Sequence, residues 1–172
     1  MRFTAKFLKL PPKLYHGTSM YGVVSILKDN AIYEGVHWGR EGEPHGVRLT
    51  RSKAVGSTFA IEGLSGHPSE GAIIEFNTEA LARDYKLQDY EDVDCLGDKW
   101  EKSEKEVVVL TKKIKDVRKY ITAIYLKNFK TQKAVNDYSL LVEGEERMPA
   151  KTWLEGYAKL LKDPLVRGEV HK

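Results

Sequence analysis

The sequence predicts a single α+β domain, a sheet of short strands with flanking helices early and late in the chain. Three observations lead there. Apolar runs rich in isoleucine and valine recur at residues 72–76, 106–110 and 121–126, the length of strands and too short for helices. The period changes to a helical one at 19–29 and again at 150–162. A chain of 172 residues that is 41% hydrophobic and 31% charged is long enough for one respectable core and too short to promise two.

Residues 7–10 and 13–16 read as short extended pieces separated by Pro11-Pro12, which a helix cannot cross. Ser19 can cap the first helix, on which Tyr21, Val24, Ile26 and Leu27 share a face before Asp29-Asn30 ends it. Residues 34–45 carry Gly35, Gly39, Gly42 and Pro44 among charges and read as a long loop, a place where function is often found. Val47 to Thr50 alternates like a half-buried strand, and residues 52–60 resume a helical pattern through Ala54, Val55 and Phe59. The strand at 72–76 is reached across a turn region at 63–71, and Thr78 is expected to cap a short helix over 78–84. An acidic loop leads to the two strongest strands, Glu106 to Leu110 and Ile121 to Leu126. In the last helix, Pro149 suits the first turn, and Trp153, Leu154, Tyr157, Leu160 and Leu161 form one apolar stripe.

Charge is uneven along the chain although the net value is only +3. Residues 89–106 carry eight acids and three lysines, whereas 112–133 carry eight bases and one acid. The basic stretch has only Tyr120, Tyr125 and Phe129 for base stacking, so it reads as a solvated face rather than a nucleic-acid surface. A single cysteine, Cys95, excludes an internal disulfide, and the N-terminal ten residues offer no apolar signal core, so a cytosolic protein is expected. No run reaches membrane-spanning length. His37, His45 and His67 lie in loops without ligand spacing, so no metal is expected.

Two motifs bear on chemistry. His16 lies in Leu14-Tyr15-His16-Gly17-Thr18, at the end of a short apolar strand and directly before a glycine whose backbone a flat ligand can approach. Glu106 opens Val107-Val108-Val109-Leu110, so its carboxylate is expected at the mouth of a buried strand, where desolvation and a ligand cation can both act on it.

These residues resemble the ADP-ribosyltransferases of the diphtheria-toxin and poly-ADP-ribose-polymerase branch, over roughly residues 14–126. The resemblance implies a split mixed sheet. It also implies that His16 bonds the adenosine-side ribose of NAD, that the Gly17 backbone holds the nicotinamide amide, and that Glu106 is the catalytic glutamate. Tyr15 and Thr18 flank that motif as further cofactor-binding candidates. Gly46-Val47-Arg48-Leu49-Thr50 followed by residues 52–59 resembles the branch's middle element, a glycine-led strand and a helix bearing an aromatic, here Phe59, that stacks on nicotinamide. This chain has Arg48 where the branch usually offers tyrosine, and Phe59 where the second tyrosine stands. Arg48 is a candidate bidentate donor to the pyrophosphate. Leu49-Thr50-Arg51-Ser52 and Glu104-Lys105-Glu106 are similar to the Ser-Thr-Ser strand and paired glutamates of the arginine-modifying branch, which makes Thr50 a cofactor-binding candidate and Glu104 a candidate for orienting the acceptor.

The resemblance therefore implies a mono-ADP-ribosyltransferase that consumes NAD, needs no metal, releases nicotinamide and modifies a macromolecule, a protein side chain before a nucleic acid. The chain after Leu126, a helical extension over about 127–172, lies outside the match. Leu14-Tyr15-His16-Gly17-Thr18, His45-Gly46-Val47-Arg48-Leu49 and Val107-Val108-Val109-Leu110-Thr111 also resemble the related tRNA 2'-phosphotransferases, which use histidine and arginines instead of a glutamate and carry an extra N-terminal domain. A catalytically silent module that binds NAD or ADP-ribose is the third alternative.

Overall fold

The computed structural model describes residues 10–35, 44–54, 56, 71–90, 106–127 and 150–168. Its strands are β1 (Lys13–Ser19), β2 (Ala31–Tyr33), β3 (Val47–Thr50), β4 (Gly71–Asn77), β5 (Leu87–Tyr90), β6 (Glu106–Val109), β7 (Lys113–Lys115), β8 (Ile121–Lys127) and β9 (Val166–Gly168). Helices α1 (Met20–Asp29), α2 (Thr78–Asp84) and α3 (Ala150–Leu161) accompany them, with a 3-10 turn at Val117–Lys119. Seven strands form one sheet in the order β5-β6-β3-β1-β4-β8-β9, and β2 pairs with β7 in a separate ribbon. Every pairing is antiparallel except that of β8 with β9, so the sheet is mixed and the domain is α+β, as the strand and helix periods predict.

One face of the sheet is apolar. Leu14, Val47, Leu49, Ala72, Ile74, Phe76, Val107, Val109, Ile124 and Leu126 share a single core with Met20, Val23 and Val24 of α1. Alternation puts the intervening residues Tyr15, Arg48, Thr50, Glu75 and Glu106 on the opposite face. Ile73 and Val108 are fully buried there as well, so this second face is covered without being uniformly apolar.

Local chemistry sets the element ends. Ser19 caps α1, its hydroxyl accepting from the Gly22 amide at 3.0 Å, and Asn30 closes the helix in the left-handed region with φ 49°. Gly46 opens β3 at φ 153°, and a Cβ there would stand 2.1 Å from the Val109 carbonyl oxygen. Only glycine lets the chain enter β3 that close to β6. Gly156 does similar work on α3, where a Cβ would meet a Val24 methyl at 2.6 Å; its absence lets α3 settle on α1.

Several sequence expectations change. The cap of α2 is Asn77, whose side chain accepts from the Ala80 amide at 2.9 Å, while Thr78 is the first helical residue and is buried. On α1 the buried positions are Met20, Val23 and Val24; Tyr21, Ile26 and Leu27 pack partly exposed at the edge of the core. On α3, among the described side chains of the stripe, Tyr157 and Leu160 are buried, whereas Leu154 and Leu161 lie on the solvent side; the side chain of Trp153 lies outside the described residues. The start of the acidic stretch is an edge strand, β5, paired with β6. Three short strands, β2, β7 and β9, have no forecast counterpart, and β9 carries the C-terminal segment into the main sheet. The first extended piece at 7–10 and the helix over 52–60 fall mostly outside the described residues, although the Gly56 amide bonds the Ser52 carbonyl at 3.0 Å, one helical turn apart.

The central position of Ile74 and the exposure of Leu154 give opposite expectations. Ile74→Ala should lower unfolding free energy by about 2–5 kcal/mol, and Leu154→Ala by no more than about 0.5 kcal/mol, both read from urea denaturation. Equal losses would contradict this division of the core.

Candidate active site

Strands β1 and β3 are neighbours, yet their register holds at one position, Tyr15 with Thr50. On its other side β1 pairs with β4 at seven positions, from Lys13–Asn77 to Ser19–Gly71, and β3 pairs with β6 over its whole length. The sheet is therefore split into β5-β6-β3 and β1-β4-β8-β9, joined at a single rung. Because the strands are antiparallel, His16 and Gly17 of β1 and Leu49 and Arg48 of β3 lie past that rung at the same end, across the split from one another.

At the split, the His16 Nδ1 lies 3.1 Å from the carbonyl oxygen of Arg48. A carbonyl only accepts, so Nδ1 carries the hydrogen and Nε2 is left as an acceptor in the neutral ring. Burial among the strand ends pushes the imidazole below its ordinary value of 6.5, and the bond to Arg48, which acts the other way, does not offset it. The residue as a whole is intermediate in exposure, at the edge of the split.

On the sheet's second face, cross-strand pairing lines up Glu106 with Thr50, Thr50 with Tyr15, and Tyr15 with Glu75. Glu106 heads β6 and is 16% exposed at its side chain; Arg48 Nη1 donates to its Oε2 at 2.5 Å. Strand register explains the contact, since Arg48 pairs with Val108 and so lies diagonally across from Glu106 on the same face. The Thr50 hydroxyl accepts from the Ser52 amide at 3.2 Å, tying off the turn that leaves β3. Thr18 stands one residue before the α1 cap, on the same strand alternation as His16.

The structure thus brings Tyr15, Arg48, Thr50 and Glu106 together on one face. His16 alternates to the other face and reaches the split, with β3 between it and Glu106. Phe59 and Glu104, expected to stack on nicotinamide and to orient the acceptor, lie outside the described residues. So do His37 and His67. His45 is described: its Nδ1 lies 3.2 Å from Glu34 Oε1, joining the two ends of the 34–45 loop.

Two charged contacts beside the site went unforeseen. Glu75, 4% exposed, accepts from Lys13 Nζ, from the Thr122 hydroxyl at 2.6 Å and from the Tyr125 hydroxyl at 3.2 Å. Thr122 is the extra residue of a bulge where β4 and β8 slip register, which aims its side chain at Glu75. Burial alone would raise the Glu75 carboxyl, but these donors, Lys13 foremost, hold it below the ordinary carboxylate range. Burial first, then the Glu75 charge, push the neighbouring Tyr15 phenol up, so it stays protonated. A lone acid inside Ala72-Ile73-Ile74-Glu75-Phe76 was the available signal, because a charge in a buried strand must be partnered. The second contact, from Arg51 to Asp89, reaches from the end of β3 past β6 to β5 and had no local signal at all.

Among the described residues no cluster of three His, Cys, Asp or Glu side chains could hold a metal ion, and no helix is long and apolar enough to cross a membrane. Chemically, the arrangement supplies a half-buried carboxylate held by a guanidinium, and a neutral imidazole whose acceptor nitrogen is set by a main-chain bond.

The imidazole gives a pH prediction. An unfolded histidine takes up a proton near pH 6.5, and folded His16 only at lower pH. Between those values the unfolded chain binds more protons, so stability falls as pH drops below about 6.5 and is unaffected above it. Between pH 7.5 and 5.5 the Tm of His16→Gln should therefore fall less than that of the wild type. Parallel slopes would contradict the assignment.

No protein-family model, curated protein or solved structure matches this chain, so the functional reading rests on its own residues.

Proposed function

We propose that this chain is an NAD-dependent mono-ADP-ribosyltransferase acting on a macromolecule, most readily a protein side chain, in a reducing, cytosolic setting. The observation that carries the reading is the split beside Tyr15–Thr50, with a neutral acceptor imidazole at its edge and, across β3 and on the sheet's other face, a carboxylate at the head of a buried strand. A sheet split in this manner is what the resemblance of the 14–126 segment implies for the fold.

In this reading the Nε2 of His16 accepts from a ribose hydroxyl, which requires the neutral form that burial favours. Glu106 accepts from a hydroxyl of the nicotinamide-side ribose and stabilises the positive charge that grows on that sugar as the bond to nicotinamide lengthens. That charge exists only near the transition state, so the carboxylate acts on rate more than on binding. The bond between C1' and the nicotinamide nitrogen breaks, and its electron pair leaves with nicotinamide. A nucleophile of the acceptor bonds to C1' and gives up its proton. Gly17 and Phe59 would hold the departing nicotinamide, as the resemblance implies.

The test is transfer of labelled ADP-ribose from NAD into a cell lysate, comparing wild type with Glu106→Gln. Label is expected with the wild type, sensitive to protease, and its rate should fall about 10²- to 10³-fold in the variant while NAD binding persists. Nuclease-sensitive label would move the acceptor to nucleic acid. Neither label nor NAD loss would overturn the reading, and ligand binding unchanged by Glu106→Gln without turnover would mark a silent binding module.

A further inference from the structure

Arg48 touches both halves of the candidate site with different atoms. Its main-chain oxygen lies 3.1 Å from His16 Nδ1, and its guanidinium Nη1 lies 2.5 Å from Glu106 Oε2. We infer that Arg48 is a positioning residue for both, its backbone setting the tautomer of His16 and its side chain setting the plane of the Glu106 carboxylate. The inference rests on the ADP-ribosyltransferase reading and adds to it a residue whose expected role was different, contact with the pyrophosphate.

The physical case has three parts. A glutamate's terminal torsion is broad, so an unassisted carboxylate samples many planes, and catalysis by charge stabilisation needs one. A charge-assisted bond from a planar, permanently charged guanidinium supplies that restraint better than a neutral donor. Both side chains are largely withdrawn from water, 25% exposed for Arg48 and 16% for Glu106, so solvent competes weakly for the contact. The pairing is also anchored at its base, because Arg48 sits opposite Val108 in the β3–β6 ladder, which fixes the backbone from which the guanidinium reaches Glu106.

Substitution separates the two roles. Any residue at position 48 keeps the carbonyl that His16 uses, so a side-chain change removes the hold on Glu106 and leaves the bond to His16. Arg48→Gln should lower kcat about 10- to 100-fold and leave the KM for NAD within about twofold. Arg48→Lys, which keeps the charge but not the planar fork, should recover part of the loss. In a Glu106→Gln background, Arg48→Gln should cost little more, because the two residues act as a unit.

A rise in KM with kcat retained would overturn the inference and place the guanidinium on the NAD diphosphate instead. Full additivity of the two substitutions would overturn it as well. Melting temperatures of each variant, and the Lys variant in particular, separate misfolding from misplacement. If the wild type turns over NAD and Glu106→Gln does not, while Arg48→Gln is as active as wild type, only this inference fails. No NAD turnover by the wild type overturns the parent reading and this one with it.

Discussion

The single rung between Tyr15 and Thr50 is the constraint on which the rest of the molecule depends. Two strands paired at one position diverge on both sides of it, and backbone groups past the rung lose the partners that a continuous ladder would supply. Here the Arg48 carbonyl at the split is met by a side chain, the His16 imidazole, which fixes that ring's tautomer at the same time. The two half-sheets stay together because a common core lies beneath them: Leu14, Leu49, Ile74 and Val107, drawn from β1, β3, β4 and β6, belong to one apolar cluster with α1. Packing on one face thus permits a gap in the hydrogen-bonding of the sheet without the halves drifting apart.

The opposite face meets a different problem, since two acids share one cross-strand row that is mostly withdrawn from water. Each is given a cation. Glu75 has Lys13 plus two hydroxyl donors and is 5% exposed at its side chain; Glu106 has Arg48 and is 16% exposed. The difference in surroundings suits different duties. A carboxylate enclosed by donors from two strands, β1 and β8, is a structural anchor. A carboxylate at a strand head, paired with Arg48 and still reaching the surface, suits the role proposed for Glu106. Tyr15 lies between them and links the anchor to the rung.

Much of the sheet was legible from the sequence, for physical reasons that also mark where legibility ends. The runs at 72–76, 106–110 and 121–126 announce themselves because strands buried on both faces are continuous apolar runs, and Ser19 and Asn30 bound α1 by chemistry local to each end. Strand β5 is hidden because Leu87-Gln88-Asp89-Tyr90 has no apolar alternation; its strand state comes from pairing with β6, a tertiary effect. Ribbon β2–β7 and strand β9 are three residues each, too short to show a period. On α3 the periodicity marked an amphipathic face but not its width, which depends on how much of it α1 covers. At the site, the motif around His16 and the glutamate before the valine run were both visible. The contact that relates them was not: Arg48 and Glu106 are 58 residues apart, and only the register of β3 against β6 reveals that they share a face.

The most direct test of the central claim, that the split is a nucleotide cleft, is to titrate the ¹⁵N-labelled protein with NAD and follow its backbone amide resonances. The account expects shifts concentrated at His16, Gly17, Arg48, Thr50 and Glu106, around the Tyr15–Thr50 rung, with the β2–β7 ribbon and α3 unmoved. Shifts centred on the ribbon or on α3, or none at millimolar NAD, would contradict it.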